Sequence, residues 1–440
     1  MPDPVKPTST PSTKGPWGAR PRSKAAAAVT EARRPAGRRD RGGLLLGALL
    51  LVVPRAGDGA PAAPQSHTRG LAQPSATALK LSAEVSGYGD SDAVFVASPT
   101  IAASVGDDLA GWSVGGRYLV DAVSAASVDI VSSASGKWTE LRHVGSGAAS
   151  MKAGSVGLSV SGGFSREPDY LSIGGGGSVS LDLLDKNFTP FVGLSYSHDD
   201  VGRTGDPKST WRDLKRVGAQ TGAAIVLGRS TTASFTVDAI FERGYLAKPY
   251  RYVPLFAPGV AAQLPAGASV DEVNRRRLFQ RPADALPDAR DRFAFTGRIA
   301  HRWEASTIRV DERIYRDSWG ALASTTDARY SLDLGSRLLF WPHLRLHGQR
   351  GVEFWQRAFE ATMGPGGDLG VPSIRTGDRE LGPLLTVTVG LGLRWRLSGE
   401  GSSPWVLFLQ ADGIFTRYFD ALYLTQRKAL FSATGIEVEF

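Results

Sequence analysis

In the stretch LLTVTVGLGLRWRL, Leu385, Val387, Val389, Leu391, Leu393, Trp395 and Leu397 alternate with Thr386, Thr388, Gly390, Gly392, Arg394 and Arg396. Successive side chains of a β-strand point to opposite faces, so this period of two gives a strand with one apolar and one polar side. The same split recurs in RFAFTGRIAHRW, where Phe293, Phe295, Ile299 and Trp303 oppose Thr296, Arg298 and Arg302. RYSLDLGSRLLF sets Tyr330, Leu332, Leu334, Leu338 and Phe340 against Asp333 and Arg337. In HLRLHGQRGVEFW the apolar set is Leu344, Leu346, Val352 and Phe354, and the polar set is Arg345, His347, Gln349 and Glu353. These segments run 10 to 15 residues. Strands of soluble sheets centre on about five or six residues, whereas a tilted strand that crosses a bilayer needs about 9 to 11.

Strands are expected near 79–88, 94–105, 111–121, 137–149, 153–164, 170–184, 188–198, 216–227, 231–245, 291–303, 306–316, 326–340, 342–356, 383–397, 404–416 and 430–440. Long gaps alternate with short ones. The long set includes DAVSAASVDIVSSAS, HDDVGRTGDPKSTWRDL, the region 246–290, RDSWGALAST and 357–382; the short set includes MKAG, LDKN, GRST, EAST and WPH, and GDSDA breaks the pattern. Outer-membrane barrels have an even strand number, short periplasmic turns and long external loops. The chain closes on LFSATGIEVEF, where Ile436, Val438 and Phe440 alternate with Glu437 and Glu439. A closed barrel pairs its last strand with its first, so the chain can stop at the membrane interface. The terminal aromatic with Ile436 and Val438 behind it resembles the signal that bacterial outer-membrane proteins present to the barrel assembly machinery.

A net charge of +8 raises the question of a nucleic-acid partner. Of the 51 basic and 43 acidic residues, 11 and four fall within residues 1–62, leaving 40 and 39 for the rest, so no nucleic-acid partner is expected. The same leader reads as a cleaved signal peptide: a basic region ending RRPAGRRDRGG, the apolar run LLLGALLLVV and a small-x-small site at Ala60-Pro61-Ala62. Its length suggests translation from Val29, and the alternative is a basic arm followed by a buried helix. The absence of cysteine excludes disulfides, thiolate metal sites, a cysteine nucleophile and a lipid anchor on an N-terminal cysteine.

The segments DAVSAASVDIVSSAS, SREPDYLS, PYRYVP, VNRRRLFQRP, ERIYRDSWGALAST and LLFWPHLRLHGQRGVEFWQRAF resemble an uncharacterised bacterial family of predicted outer-membrane proteins, a domain of unknown function. The likeness covers most of residues 79–440 and centres on Tyr315, Arg316, Asp317, Ser318, Trp319 and Gly320. It implies a signal-bearing barrel, and a role beside flavin-transferring and thioredoxin-like proteins of a periplasmic redox system.

The inner face is expected to collect Arg298, Arg302, Arg309, Arg313, Arg337, Arg345, Arg394 and Arg396, with Asp311, Asp333, Glu353, Asp412, Glu437 and Glu439 as partners. Two readings stand: an arginine-rich lumen that selects anions, or a ladder of cross-strand ion pairs that stiffens the interior. At the barrel mouth, Tyr315 and Trp319 belong to an aromatic girdle with Arg316 and Asp317 paired, or they bind a ligand. His198, Asp199, Asp200 and Asp206 lie close in sequence, but the spacing lacks the calcium-loop pattern. No metal or other cofactor is expected. His143, His301, His343 and His347 fall on separate strands and assemble no Ser-His-acid arrangement. The four glycines of SIGGGGSVS lie within a strand, as a bend or crowded position rather than a phosphate loop.

The expected protein is all-β, a transmembrane antiparallel outer-membrane β-barrel of about 16 strands, range 14–18, with long external loops. Residues 1–62 are the leader and signal peptide, 63–78 a periplasmic linker and 79–440 the barrel. The expected function is a channel or binding protein for a small polar solute, an anionic one on the arginine-rich reading of the lumen, without enzymatic activity. The first alternative is a structural or docking barrel of a periplasmic redox system, favoured by a plug from residues 246–290 or 122–136. The second is an outer-membrane hydrolase.

Overall fold

The computed structural model describes residues 77–125, 138–364, 369–397 and 404–440. The leader, nearly all of the linker and most of the 122–136 segment lie outside the described residues. Sixteen strands close one antiparallel barrel in which each pairs with its sequence neighbour. They are β1 (Ala78–Asp90), β2 (Val94–Asp107), β3 (Trp112–Ala125), β4 (Trp138–Ala153), β5 (Val156–Arg166), β6 (Tyr170–Leu181), β7 (Phe188–Val201) and β8 (Arg212–Gly228), then β9 (Thr231–Gly244), β10 (Ala289–Arg302), β11 (Ser306–Asp317), β12 (Leu322–Leu334), β13 (Leu338–Arg350), β14 (Leu384–Arg396), β15 (Trp405–Tyr418) and β16 (Gln426–Glu439). Closure is made by β1 against β16, with Lys80 opposite Glu439 and Gly89 opposite Leu430. The terminal Phe440 completes it: its N–H donates to Leu79 O at 2.9 Å and its O accepts from Leu79 N at 3.1 Å.

Alternation sets the two faces. Leu391, Val389, Ile101, Val160 and Leu194 stand on the outside, each more than half exposed. So broad an apolar exterior is unfavourable in water and suits hydrocarbon. Exposed aromatics ring both edges, with Trp112, Trp303, Trp395 and Trp405 toward the end that holds the C-terminus, and Phe95, Phe164, Tyr196 and Phe293 toward the other. Such girdles mark the two interfaces of a membrane barrel. The apolar band is interrupted at Glu312, whose carboxylate accepts from Ser324 Oγ and Thr326 Oγ1, both at 2.6 Å.

The glycines of β6 allow close backbone approach: a Cβ at Gly176 would stand 2.6 Å from Leu194 O. The inward positions of β5, β6 and β7 are mostly Gly and Ser, including Ser161, Gly163, Gly174, Ser178 and Ser195. One half of the lumen is therefore lined by small side chains, and the half from β10 to β14 by Arg, Asp and His.

One hairpin differs from expectation. The expected turn at WPH lies inside β13, and the chain reverses at Gly335–Arg337, where Gly335 takes φ 71°. Leu332 then pairs with Phe340 and Arg329 with His343. Pro342 sits mid-strand beside Leu391, and the β12–β13 ladder skips the positions around it because proline donates no hydrogen bond. The expected long loop RDSWGALAST is likewise a tight turn, Ser318–Ala321, between β11 and β12. Val352 and Phe354 lie beyond β13, so they belong to a loop and not to the lipid face.

The large loops, 245–288 and the described parts of the second, 351–364 and 369–383, stand at the end away from the C-terminus and fold on each other. Leu255–Phe256 pair in parallel with Phe359–Glu360, and Phe256, Leu264, Val273, Ala358 and Leu422 pack into one cluster beside a second of Val253, Leu255, Phe359 and Ala361. A short helix, α1 (Val270–Arg276), starts at Ser269, whose Oγ accepts from Glu272 N at 3.2 Å. Most of the fully buried large side chains, Phe256, Leu255, Leu264, Val253 and Val273, lie in these loops. The barrel wall turns its own apolar face outward, so the core sits in the cap.

Leu391→Arg, on the lipid side, is expected to cost about 2–4 kcal/mol, whereas Ser161→Arg, on the small-walled lumen side, folds normally. Urea titration in lipid vesicles checks both, and equal losses would contradict the facing.

Candidate functional site

A belt of hydrogen-bonded charges runs around the inner wall at the capped end. Ser98 Oγ donates to Asp121 at 2.5 Å, and Arg142 lies 3.7 Å from Asp121 and 3.5 Å from Glu167. Asp199, fully buried, accepts from Tyr170 Oη at 2.6 Å and Ser172 Oγ at 2.7 Å, and pairs with Arg216. Arg216 Nε donates to Glu242 at 2.9 Å, which Arg292 approaches at 3.4 Å. Arg292 then donates to Tyr315 Oη at 3.1 Å, and Tyr315 donates to Asp317 at 2.8 Å. Asp317 also accepts from Arg290 Nε at 2.8 Å, and the Arg290 guanidinium lies 4.2 Å from the centre of the Trp319 ring. Each charge has an opposite partner, which offsets the desolvation of burying it.

The loops are fastened to this belt. Asp378 accepts from Lys248 and forms an ion pair with Arg251 at 2.7 Å. Burial raises the Asp378 carboxyl, but Arg251 and Lys248 outweigh it and hold the group well below the usual carboxylate range. Arg379 pairs with Asp92 at the top of β1. Glu380 accepts from Tyr418 Oη at 2.6 Å and Arg427 at 3.0 Å, and Gln349 donates to Glu380 O at 2.8 Å and Gly382 O at 2.9 Å. Tyr250 Oη donates to Asp169 at 2.7 Å, and burial followed by that bond pushes its phenol up. Asp284, buried beside Asp378, is pushed up by burial to about 6, partly opposed by Arg251.

Belt and loops enclose a cavity of about 340 Å³. Glu140, Glu167 and Asp169 form one corner, with carboxylate oxygens within 4.8 Å of one another. Arg290, Arg292, Tyr315 and Trp319 lie on another side, and Leu214, Leu246, Leu286 and Val352 supply apolar surface. A second cavity, about 640 Å³, follows the small-walled half of the lumen past Ser146, Ser161 and Gly163. The chemistry available is hydrogen bonding and charge pairing beside apolar surface.

The expected inner-face residues fall mostly on the lumen side, in ion pairs below the belt. Arg298 grips Asp311 with two bonds of 2.8 Å, Arg313 reaches Asp238 at 2.9 Å, Arg302 pairs with Asp333, and Arg394 with Glu437 at 3.0 Å. Arg309, Arg345 and Arg396 also face inward. Arg337 does not: it sits in the exposed β12–β13 turn. Glu353 is a loop residue against Gly320, where a Cβ would come within 2.3 Å of it, and Gly320 takes φ 82°. Trp319 is no girdle residue. It is buried against Val352 and Phe354, and its Nε1 donates to Ala289 O at 2.8 Å. Tyr315 points inward, and Asp317 pairs with Arg290 rather than Arg316, because adjacent strand residues face opposite ways. Ser318 Oγ accepts from Asp291 N at 2.9 Å.

The His198-Asp200 loop residues do not converge: His198 and Asp200 pair outside at 3.3 Å, Asp199 points into the lumen, and Asp206 lies in the β7–β8 loop. His343 is held between Asp327 at 3.0 Å and Asp412 at 3.4 Å, while His143 meets Tyr118, His301 meets Thr231 and His347 meets Thr325. The belt residues Asp199, Arg216, Glu242 and Arg292 are absent from the expected inner-face set. Their signal was an inward charge at the same end of successive strands.

Fold and site together define a membrane-type β-barrel with a charged, loop-capped chamber. Residues 208–404 match a family described as "Protein of unknown function (DUF3570)", a segment that runs from the β7–β8 loop to the residue before β15. This agrees with the expected resemblance to a domain of unknown function, although the match is shorter than the expected 79–440 and leaves out the segments DAVSAASVDIVSSAS and SREPDYLS. No curated protein sequence matches the chain. Among solved structures, the siderophore receptor PirA from Pseudomonas aeruginosa is 12% identical, with 80% of this chain and 61% of that one covered and a TM-score of 0.40. The Pseudomonas putida toluene transporter TodX is 10% identical over 84% and 91%, at 0.36, and Pseudomonas aeruginosa OprD is 9% identical over 83% and 95%, at 0.39.

Asp199→Ala removes one of the two buried carboxylates that Arg216 engages, leaving Glu242, and is expected to cost about 1.5–3 kcal/mol, against about 1 kcal/mol for Tyr170→Phe, by urea titration in vesicles. Because the folded Asp284 binds its proton more tightly than the unfolded chain, its contribution to stability is full below about pH 4 and is lost as pH rises through about 6. Hydrogen exchange of residues 245–288, corrected for intrinsic rates, should show easier opening at pH 7 than at pH 5 and a smaller difference in Asp284→Asn.

Proposed function

We propose that this chain is an exported outer-membrane β-barrel that binds or passes a small polar solute through its lumen, under a cap made of residues 245–288 and 351–383. The observation that carries this reading is the chamber of about 340 Å³ between belt and cap, where buried charges stand beside apolar surface. Apolar surface outside and hydrogen-bonding surface inside are what a solute-handling barrel needs. Both termini then lie in the periplasm, the cap faces outward, and outer-membrane lipid covers the wall. Ile436, Val438 and Phe440 fit recognition by the assembly machinery, since the first two face outward at the closing strand.

A second reading is a docking barrel for periplasmic redox proteins. The folding of 245–288 into a cap favours it, because a barrel closed at one end has less use as a conduit. Conductance separates the two. The mature protein from residue 63 is reconstituted in a planar bilayer, beside an Asp378→Ala variant that unfastens Lys248 and Arg251. Discrete current steps that become more frequent or larger in Asp378→Ala support solute passage. A folded, heat-modifiable barrel that is silent in both forms contradicts it and favours docking.

A further inference from the structure

The lumen wall toward the C-terminal end carries more guanidinium than its acids can engage. Arg309, Arg329 and Arg345 face inward from β11, β12 and β13, with Arg309 directly opposite Arg329 and Arg345 directly opposite Asp327. Like charges in opposed positions work against a sheet. The nearby acids are engaged elsewhere. Asp311 takes Arg298 at 2.8 Å through both oxygens and lies 3.5 Å from Arg309, while Asp327 and Asp412 hold the two nitrogens of His343. Among the described residues, no carboxylate lies within 4.0 Å of the Arg329 or Arg345 guanidinium.

The donors there are also underused. The Nε–H groups of Arg309 and Arg329 and the indole N–H of Trp341 are buried without an acceptor among the described residues. Buried donors without acceptors are costly, and each one calls for an explanation. Trp341 is fixed in place by Gly392, where a Cβ would come within 2.1 Å of its ring, and the Arg329 guanidinium lies 5.5 Å from the ring centre. Three forked cations beside a donor of fixed direction suit a group with several negative oxygens, because guanidinium binds such groups with paired hydrogen bonds.

We propose that Arg309, Arg329, Arg345 and Trp341 form a subsite for an oxyanion, the carboxylate or phosphate group of a small solute in the lumen. The proposal rests on the solute-binding reading and names the charged end of that solute. The test is calorimetry on the folded barrel in detergent, titrated with inorganic phosphate and separately with acetate at ionic strength fixed by chloride. Saturable binding of either probe is expected. It should weaken roughly tenfold or more in Arg329→Gln and in Arg345→Gln, each checked for a heat-modifiable band, and stay within about twofold in Arg394→Gln, whose arginine is already paired with Glu437. No saturable heat from either probe, or equal binding in all three variants, overturns the subsite. The measurement needs no transport. Binding by a barrel that passes no current would sink the channel reading alone, and current without oxyanion binding would sink the subsite alone.

Discussion

A backbone in hydrocarbon has no water to satisfy its N–H and C=O groups, so a sheet that crosses a bilayer must close on itself. Pairing of β1 with β16, finished by the reciprocal bonds between Leu79 and Phe440, meets that requirement here. Closure fixes which way every side chain points, since facing passes from strand to strand through the register. Apolar residues are sent out to lipid, and charges are sent into a lumen where most pair with one another or with Tyr and Ser hydroxyls.

The interior then has to neutralise what the alternation put there. Charges distant in sequence, Asp199, Arg216, Glu242, Arg292 and Asp317, come together because neighbouring strands bring them to one level. The belt also gives the loops something to hold: Asp169 and Glu380 tie wall and cap together, as do Arg379 and Asp92. A mouth crossed by loops with their own apolar clusters becomes a chamber, and the Gly- and Ser-lined half of the wall leaves the space beside it.

Much of this was legible in the chain. Period two placed the strands of 291–303 and 383–397 nearly where they stand, and the outward sets Phe293, Phe295, Leu391 and Trp395 need no revision. Turns were harder. Pro342 drew the β12–β13 turn to WPH, while the true signal was Gly335-Ser336 a few residues earlier. Asp317-Ser318-Trp319-Gly320 has Asp first and Gly fourth, a type I turn signature, and the Asp317 carboxylate accepts from Trp319 N and Ala321 N, both at 3.0 Å. The cap was unreadable in detail because its core joins residues about a hundred positions apart, such as Phe256 and Ala358. Ion-pair partners were hidden for the same reason: sequence gives facing, but register decides who meets whom.

The central claim is that the lumen is a polar space within the membrane, closed at the loop end by a cap held by buried charges. The cysteine-free chain allows a direct measurement: Ser161→Cys in oriented vesicles, labelled by a membrane-impermeant thiol reagent added to one side at a time. The account predicts labelling from the side of the C-terminus and slow labelling from the loop side that speeds up in an added Asp378→Ala background, with Leu391→Cys unlabelled from either. Equal labelling of Ser161→Cys from both sides in the unaltered cap, or ready labelling of Leu391→Cys, would contradict it.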